Sequence, residues 1–385
     1  MSIFNRESMP KSKVLGIILL IVVILGGGIL LMRDKQTTSE TKEPITIGAL
    51  YPLTGGLAIF GQPAQKTATL ALEEINVQGG INGRPLALDI QDQPCNPATV
   101  LSLYNQLHDA KNIRIFTSAT CSGGVLTVAP VMKDSVLLVA ITTSGKISGV
   151  SPRVFRNWAS DALEAKLFAD EIKKGEQKSV GVIYEQTDYA KGLKDSLEKY
   201  LEGTDVKVIS ESFSSDASDV RTQLTKLNAQ NPDVWFLSPQ TVITGDKILK
   251  QMQELNIKPR TLFVNDAIIK AKDVIAQYKG LLEGAFGADY VITDVTRMQS
   301  VLEKYKQKYG EECSQPNVCA VVYDNINMLA EALKKNGEDA DKVREYLKGI
   351  KYNGVSGEVS FDEKNDRAGA WYSLFLVKDG VAVLK

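Results

Sequence analysis

The chain has 385 residues, 44 % apolar and 24 % charged, which is ordinary globular composition with room for roughly two or three domains, and argues against global disorder. Its 45 Lys plus Arg face 46 Asp plus Glu, a formal net charge of −1, and that balance argues against a nucleic-acid binder, which usually carries a basic excess. The single histidine, His108, excludes a site built on two or three histidines, or a two-histidine proton relay, within one chain.

Residues 14–32, VLGIILLIVVILGGGILLM, are 19 positions without a charge or a strongly polar side chain. As a helix they would span roughly 28 Å at about 1.5 Å per residue, close to a bilayer core of about 30 Å. A segment apolar on every face at the extreme N-terminus reads as a cleaved signal peptide or a retained transmembrane anchor. The run is longer than a usual signal core and ends in Leu30, Leu31 and Met32 rather than in a small-x-small pattern, so retention is expected, with Gly26 to Gly28 left as a candidate cleavage region. It holds no cysteine, which excludes lipoprotein-type modification there. Arg6, Lys11 and Lys13 precede it and Arg33, Lys35 and Lys42 follow it, so positive charge alone leaves the orientation nearly undecided. All four cysteines lie beyond it. An even count suits an oxidising compartment, with four buried free thiols as the alternative. The expected arrangement is a cytoplasmic segment 1–13, a single pass, a flexible polar tether 33–43, and everything beyond it on the extracytoplasmic side.

From residue 44 the chain alternates strand and helix. Apolar runs predict strands over 45–51, 86–90, 113–117 and 136–141. Between them, helical spacing marks 62–78 and 97–107, with Gly79, Gly80 and Gly83 stopping the first. The rhythm continues with strands over 179–184, 206–209, 234–237 and 261–264, and with helices at about 189–201, 220–229 and 244–255. Two more helices, 295–309 and 319–335, precede strands near 359–361 and 371–377. Alternating βαβα units imply parallel sheets covered by helices on both faces. Two such runs, meeting near residue 158, predict two doubly wound α/β lobes. There is no fixed-period repeat.

Catalytic signatures are missing. No G-x-G-x-x-G follows a strand, and neither a P-loop nor a G-x-S-x-G elbow occurs. His108 sits near the end of an amphipathic helix, a position that favours an exposed histidine. What remains is a set of polar loops just after strands, where open α/β sheets bind ligands. These are 52–62 (PLTGGLAIFGQ, with Phe60), 118–124 (SATCSGG), 142–145 (TTSG) and Asn265–Asp266. The SATCSGG loop opens a helix, so its backbone N–H groups and the Ser122 hydroxyl suit an anion such as a carboxylate, and a carboxylate at a strand end suits a ligand ammonium. Each loop alone also reads as an ordinary turn or helix cap.

Taken together, PLTG…FGQ, a helix ending EEIN, GGINGRP and a strand leading to Cys-x-Pro resemble the substrate-binding proteins of ABC importers, more narrowly the branched-chain amino-acid binding group. The resemblance runs through GVIYEQTDYAKG to GEVSFDEKNDRAG and covers about residues 44–377. It implies two lobes closing on a ligand about a hinge crossed three times, with crossings expected near Ser160, Phe286 and Ser356. Lobe 1 is then 44–160 plus 287–355, and lobe 2 is 161–286 plus 356–385. It also implies that Thr120, Cys121 and Ser122 hold the ligand α-carboxylate, that Thr142, Thr143 and Ser144 meet the ammonium and carboxylate, that Asp266 pairs with the ammonium, and that Phe60, Tyr189 and Tyr323 close the pocket. Cys95 and Cys121 match a disulfide found in some members. The second expected bond is Cys313–Cys319.

The pattern departs from the family at Thr120, Thr142, Thr143 and Gln240, which make the pocket more polar than an aliphatic side chain requires. A polar amino acid or an amide therefore stands beside leucine, isoleucine and valine. The expected function is capture of an amino acid for ABC permease subunits, without catalysis, cofactor or metal. The alternatives are the sensing ectodomain of a signalling receptor, which the end of the chain at Lys385 and the lack of a second apolar run disfavour, and a binder of an amide or urea.

Overall fold

A computed structural model describes residues 43–119, 121–292 and 295–385. The expected anchor at 14–32, the segment 1–13 and nearly all of the tether lie outside the described residues, as does Thr120. Among the described residues no helix is long and apolar enough to cross a membrane.

Two sheets organise the chain from Pro44 to Lys385. The first is parallel, in the order β2-β1-β3-β4-β5, from strands Ile45–Tyr51 (β1), Leu86–Asp92 (β2), Ile115–Ala119 (β3), Val136–Ala140 (β4) and Val154–Arg156 (β5). The second joins five parallel strands, Ser179–Glu185 (β6), Lys207–Phe213 (β7), Val234–Ser238 (β8), Thr261–Val264 (β9) and Phe286–Tyr290 (β10), in the order β10-β9-β8-β6-β7. A short antiparallel pair forms from Tyr352–Gly354 (β11) and Gly357–Val359 (β12). Tyr372–Lys378 (β13) and Val381–Leu384 (β14) then add antiparallel strands beside β10. The second sheet is therefore mixed, because the hairpin β13–β14 joins its edge.

Both sheets are covered on two faces. In β8, Val234 and Phe236 point to one side and Trp235 and Leu237 to the other, the period-2 alternation of a strand buried on both faces. Phe236 meets Phe168 of the helix Asp161–Lys173 with ring centroids 5.4 Å apart. Trp235 and Leu237 pack with Leu224, Ile248 and Leu249 of the helices Arg221–Ala229 and Val242–Glu254. On the first sheet, the helices Ala58–Val77 and Pro316–Asn336 cover one face, and Pro97–Asn105 and Ser122–Val128 cover the other.

Two expected crossings move. Phe286 does not leave the second sheet but opens β10, so the chain departs only after Tyr290. Gly287 and Asp289 interrupt the apolar run there and hid this strand. Ser356 does not begin the return either. Phe361 and Asp366 still bridge to Arg367 and Arg156, and the second sheet is rejoined only at Tyr372. The helix Asp161–Lys173 escaped the periodic reading because its buried face carries Asp161 and Glu164.

Candidate functional site

A cavity of about 470 Å³ opens where the carboxyl ends of both sheets face each other. From the first sheet come Ala119, Cys121 and Ser122 after β3, Ile141 and Thr143 after β4, and Phe60 in the helix after β1. From the second come Tyr189 in the helix after β6, Gln240 and Thr241 after β8, Asp266 after β9, and Asp289 within β10. This is the switch-point geometry of doubly wound sheets, in which loops leaving the strand ends converge.

The first-sheet wall is held from beneath by a residue the sequence did not single out. Arg156, fully buried at the end of β5, donates from Nη1 to the carbonyl oxygens of Thr142 at 3.3 Å, Thr143 at 3.0 Å and Ser144 at 2.9 Å. Its Nε donates to Asp366 Oδ1 at 2.8 Å and its Nη2 to Ser148 Oγ at 2.7 Å. A planar guanidinium with five donors fits this task, which a lysine cannot reproduce. The Ser144 N–H donates to Ser122 Oγ at 3.2 Å, tying the loops after β3 and β4 together. Between them Ile141 turns the chain at φ 48°, a left-handed conformation that is uncommon for a β-branched residue.

Thr142 and Ser144 are fully buried and do not line the cavity; only Thr143 of this triplet does. Their carbonyls, like that of Thr143, accept from Arg156 Nη1, so the guanidinium fixes the backbone of the whole triplet. The Cys95–Cys121 bond anchors the neighbouring loop, with Cα atoms 5.5 Å apart, and Cys313 bonds to Cys319.

The opposite wall is a relay of hydrogen bonds. Buried Asn265 donates from Nδ2 to Pro239 O at 2.7 Å and to Tyr189 Oη at 2.9 Å. Tyr189 donates its hydroxyl to Asp266 Oδ1. Burial first, and the charges of Asp266, Asp161 and Glu164 next, push the Tyr189 phenol well above its ordinary pKa, so it remains a donor. Asp266 Oδ2 also lies 3.3 Å from Lys270 Nζ, and Lys270 Nζ lies 2.6 Å from Asp289 Oδ1. Beneath this wall, Asp161 and Glu164 are fully buried at the start of the helix Asp161–Lys173. Tyr372 donates to Asp161 Oδ1 at 2.9 Å. Asp161 Oδ2 and both oxygens of Glu164 have no hydrogen-bond partner among the described residues.

Of the expected ligand residues, the structure brings Phe60, Ser122, Thr143, Tyr189 and Asp266 to one cavity. Tyr323 is not there. It sits in the helix Pro316–Asn336 with its hydroxyl donated to Glu74 of the helix Ala58–Val77, a link between two helices of the first lobe. Trp158, Lys270, Lys272, Asp289 and Asn317 line the cavity without having been singled out. Trp158 packs against Tyr290 with ring centroids 4.6 Å apart and planes tilted by 50°, where the chain passes between the sheets. The i,i+4 spacing of Asp266 and Lys270 was the one local signal that a lysine would stand beside the acid.

Residues 44–381 match the family described as periplasmic binding protein. An "Amino acid binding protein" of Pseudomonas aeruginosa is 27 % identical over 333 residues, covering 84 % of this chain and 87 % of that protein. A "Leucine-, isoleucine-, valine-, threonine-, and alanine-binding protein" of the same organism is 23 % identical, covering 85 % and 88 %. Among solved structures, the leucine-binding protein LivK of Thermotoga maritima superposes with a TM-score of 0.75 at 21 % identity over 89 % of this chain and 97 % of that one. LivJ of Streptococcus pneumoniae, in complex with isoleucine, gives 0.70 at 22 % identity over 89 % and 100 %.

Proposed function

The chain belongs to the periplasmic binding protein family, and from that premise we propose that it captures a free amino acid between its two lobes and presents it to the permease subunits of an ABC importer. The observation that carries the reading is the pairing of opposite chemistries across the cavity. Ser122 and Thr143, with the N-terminal turn of the helix Ser122–Val128, offer hydroxyl and amide donors from one sheet. Asp266, braced by Tyr189, offers an anion from the other. A zwitterion bridging the walls satisfies both at once, which couples binding to closure. Charge-assisted hydrogen bonds inside a closed cleft are stronger than their exposed counterparts. Relatives named as amino-acid binders support the same reading.

Within it, Ser122, Thr143 and Asp266 touch the ligand head group, and Phe60, Tyr189 and Trp158 enclose it. Thr142 and Ser144 act through the Arg156 scaffold. The lobes hinge at the three passages between the sheets, near Ser160, after Tyr290 and before Tyr372. Residues 14–32 are a retained anchor that holds the lobes at the outer face of the membrane. The unbroken apolar run and the two disulfides support that placement. A thermal-shift screen against the free amino acids, followed by titration calorimetry on the hits, tests the binding function. A protein unmoved by every amino acid sinks it. N-terminal sequencing of membrane-extracted protein tests the anchor, and a mature start near Lys35 or Glu43 would show a removed signal instead.

A further inference from the structure

The wall supplied by the second sheet holds more charge than an aliphatic amino acid needs. Lys270 follows the short helix Asp266–Ile269 and lines the cavity together with Asp266 and Asp289. An ammonium group has three N–H donors and no acceptor. Asp266 Oδ2, 3.3 Å away, takes one of them by hydrogen bond, while Asp289 Oδ1, 2.6 Å away, balances the ammonium charge as an ion pair without hydrogen-bond geometry. The Lys270 side chain keeps 31 % of its surface exposed, and it forms part of the cavity lining. Lys272 lines the same wall from an exposed position, with no carboxylate within ion-pair distance among the described residues.

Two carboxylates and two ammonium groups line the cavity, so their formal charges cancel. A zwitterionic head group is neutral as well and adds no uncompensated charge. An aliphatic side chain pressed against this wall would cover a remaining Lys270 donor and leave it without water or an acceptor. Stranding a donor on a charged group is costly. A side chain ending in an oxygen acceptor answers that donor, while its methylenes lie along Leu57, Phe60 and Trp158.

We infer that the ligand is an α-amino acid whose side chain ends in a carbonyl oxygen, of a carboxamide or a carboxylate, which accepts a hydrogen bond from an N–H of Lys270. This rests on the amino-acid reading above and narrows its substrate class.

The test is titration calorimetry of L-glutamine, L-glutamate and L-leucine on the full chain, on Lys270→Arg, and on the paired variant Lys270→Met with Asp289→Asn, which preserves the charge balance of the wall. The wild type is expected to bind one of the two oxygen-ended amino acids at least about tenfold tighter than L-leucine. The paired variant should lose roughly ten- to a hundredfold on that ligand, the range for a hydrogen bond to a charged group, with leucine binding unchanged or improved. Lys270→Arg should keep the preference, which a merely structural role would not require. Whether glutamine or glutamate wins assigns the carbonyl to a carboxamide or a carboxylate. Tighter binding of leucine than of both by the wild type overturns the inference and leaves the amino-acid function standing. So does a paired variant that strengthens all three, because Lys270 would then occupy the place of the ligand ammonium. Binding of none of the three, with none of the other amino acids in the screen bound either, overturns the function and this inference together.

Discussion

Gly192 of the helix Asp188–Leu201 lies against Ser144 across the cleft, so close that a β-carbon built on the glycine would overlap Ser144 Oγ and stand 3.3 Å from Ser144 Cβ. One residue packs on the second sheet and the other follows β4 of the first. The absence of a side chain at Gly192 thus lets the lobes meet beside the Thr142–Ser144 loop. Gly192→Ala is expected to prop the lobes apart and weaken ligand binding by roughly tenfold or more, the scale of about 1–3 kcal/mol for overpacking a tight contact. Thermal stability without ligand should hold or rise slightly, since alanine favours the helix. Calorimetry with small-angle scattering, with and without ligand, reads both effects. A variant that closes and binds like the wild type would show that this contact does not limit closure.

Asp266→Asn keeps the size and removes the charge proposed to meet the ligand ammonium. Leaving that ammonium without its partner in the closed cleft should cost about 3 kcal/mol, roughly two decades in Kd. The low end of the range applies because the amide oxygen of the variant still accepts from the ammonium. Tyr189→Phe removes a neutral donor to the same carboxylate and should cost about 1 kcal/mol. Equal affinities of the wild type and Asp266→Asn would indicate a ligand without an ammonium group.

Arg156→Met removes the guanidinium that carries the three loop carbonyls and leaves Asp366 unpaired. The expected loss is about 3–5 kcal/mol of folding stability, the scale for breaking a buried ion pair. Arg156→Lys should recover only part of it, because one ammonium cannot reach Thr142, Thr143, Ser144, Asp366 and Ser148 together. Urea unfolding of the three proteins measures this. Full recovery by lysine would contradict the fork-shaped role.

Asp161 and Glu164 should make the ligand-free protein less stable as pH rises. Burial first, and then the Asp266 charge, lift the Asp161 carboxyl from 3.8 to about 7, and the same causes lift Glu164 well above its ordinary value. Arg156, Thr143 and Tyr372 oppose the shift at Asp161, and Lys270 opposes it at Glu164. A carboxyl with a raised folded pKa keeps its proton in the fold where the unfolded chain has lost it. Its contribution is full below about pH 4, falls as pH rises, and levels off once the folded group ionises, near pH 7 for Asp161. Glu164→Gln and Asp161→Asn should flatten that slope between pH 4.5 and 7.5. Urea unfolding across that range decides it, and variants with the wild-type slope would refute it.

Replacing Cys95 and Cys121 together by serine opens a loop with a sequence separation of 26. The chain-entropy relation puts the loss at about 3–4 kcal/mol. Because Cys121 directly precedes Ser122, ligand affinity should fall as well, even at temperatures where the variant is fully folded. Differential scanning calorimetry and titration on the same sample separate the two effects. Unchanged affinity would confine the bond to stability.

The sequence by itself determined the strands that are continuous apolar runs. β1 and β9 lie where the run of apolar residues places them, and the helix Val295–Tyr309 follows from its 3.6-residue spacing. The polar loops after strand ends also pointed to Phe60, Ser122, Thr143 and Asp266, the family resemblance added Tyr189, and the fold brings these five to one cavity. Only the tertiary structure decided what stands opposite them. Tyr323 and Trp158 are both aromatic residues in apolar surroundings, yet one links two helices through Glu74 and the other walls the cavity. Nothing local separates them, since the difference arises from which helix packs on which sheet. Arg156 lies in a stretch where periodicity marked no element, and its role shows only where the Thr142–Ser144 carbonyls fold over it. Asp161 and Glu164 break a helical pattern because they are buried, and Asp289 breaks a strand at the place where Lys270 meets it. Periodicity records burial of apolar surface. The charges that this protein buries at its site run against that record, so only the packed fold reveals their partners.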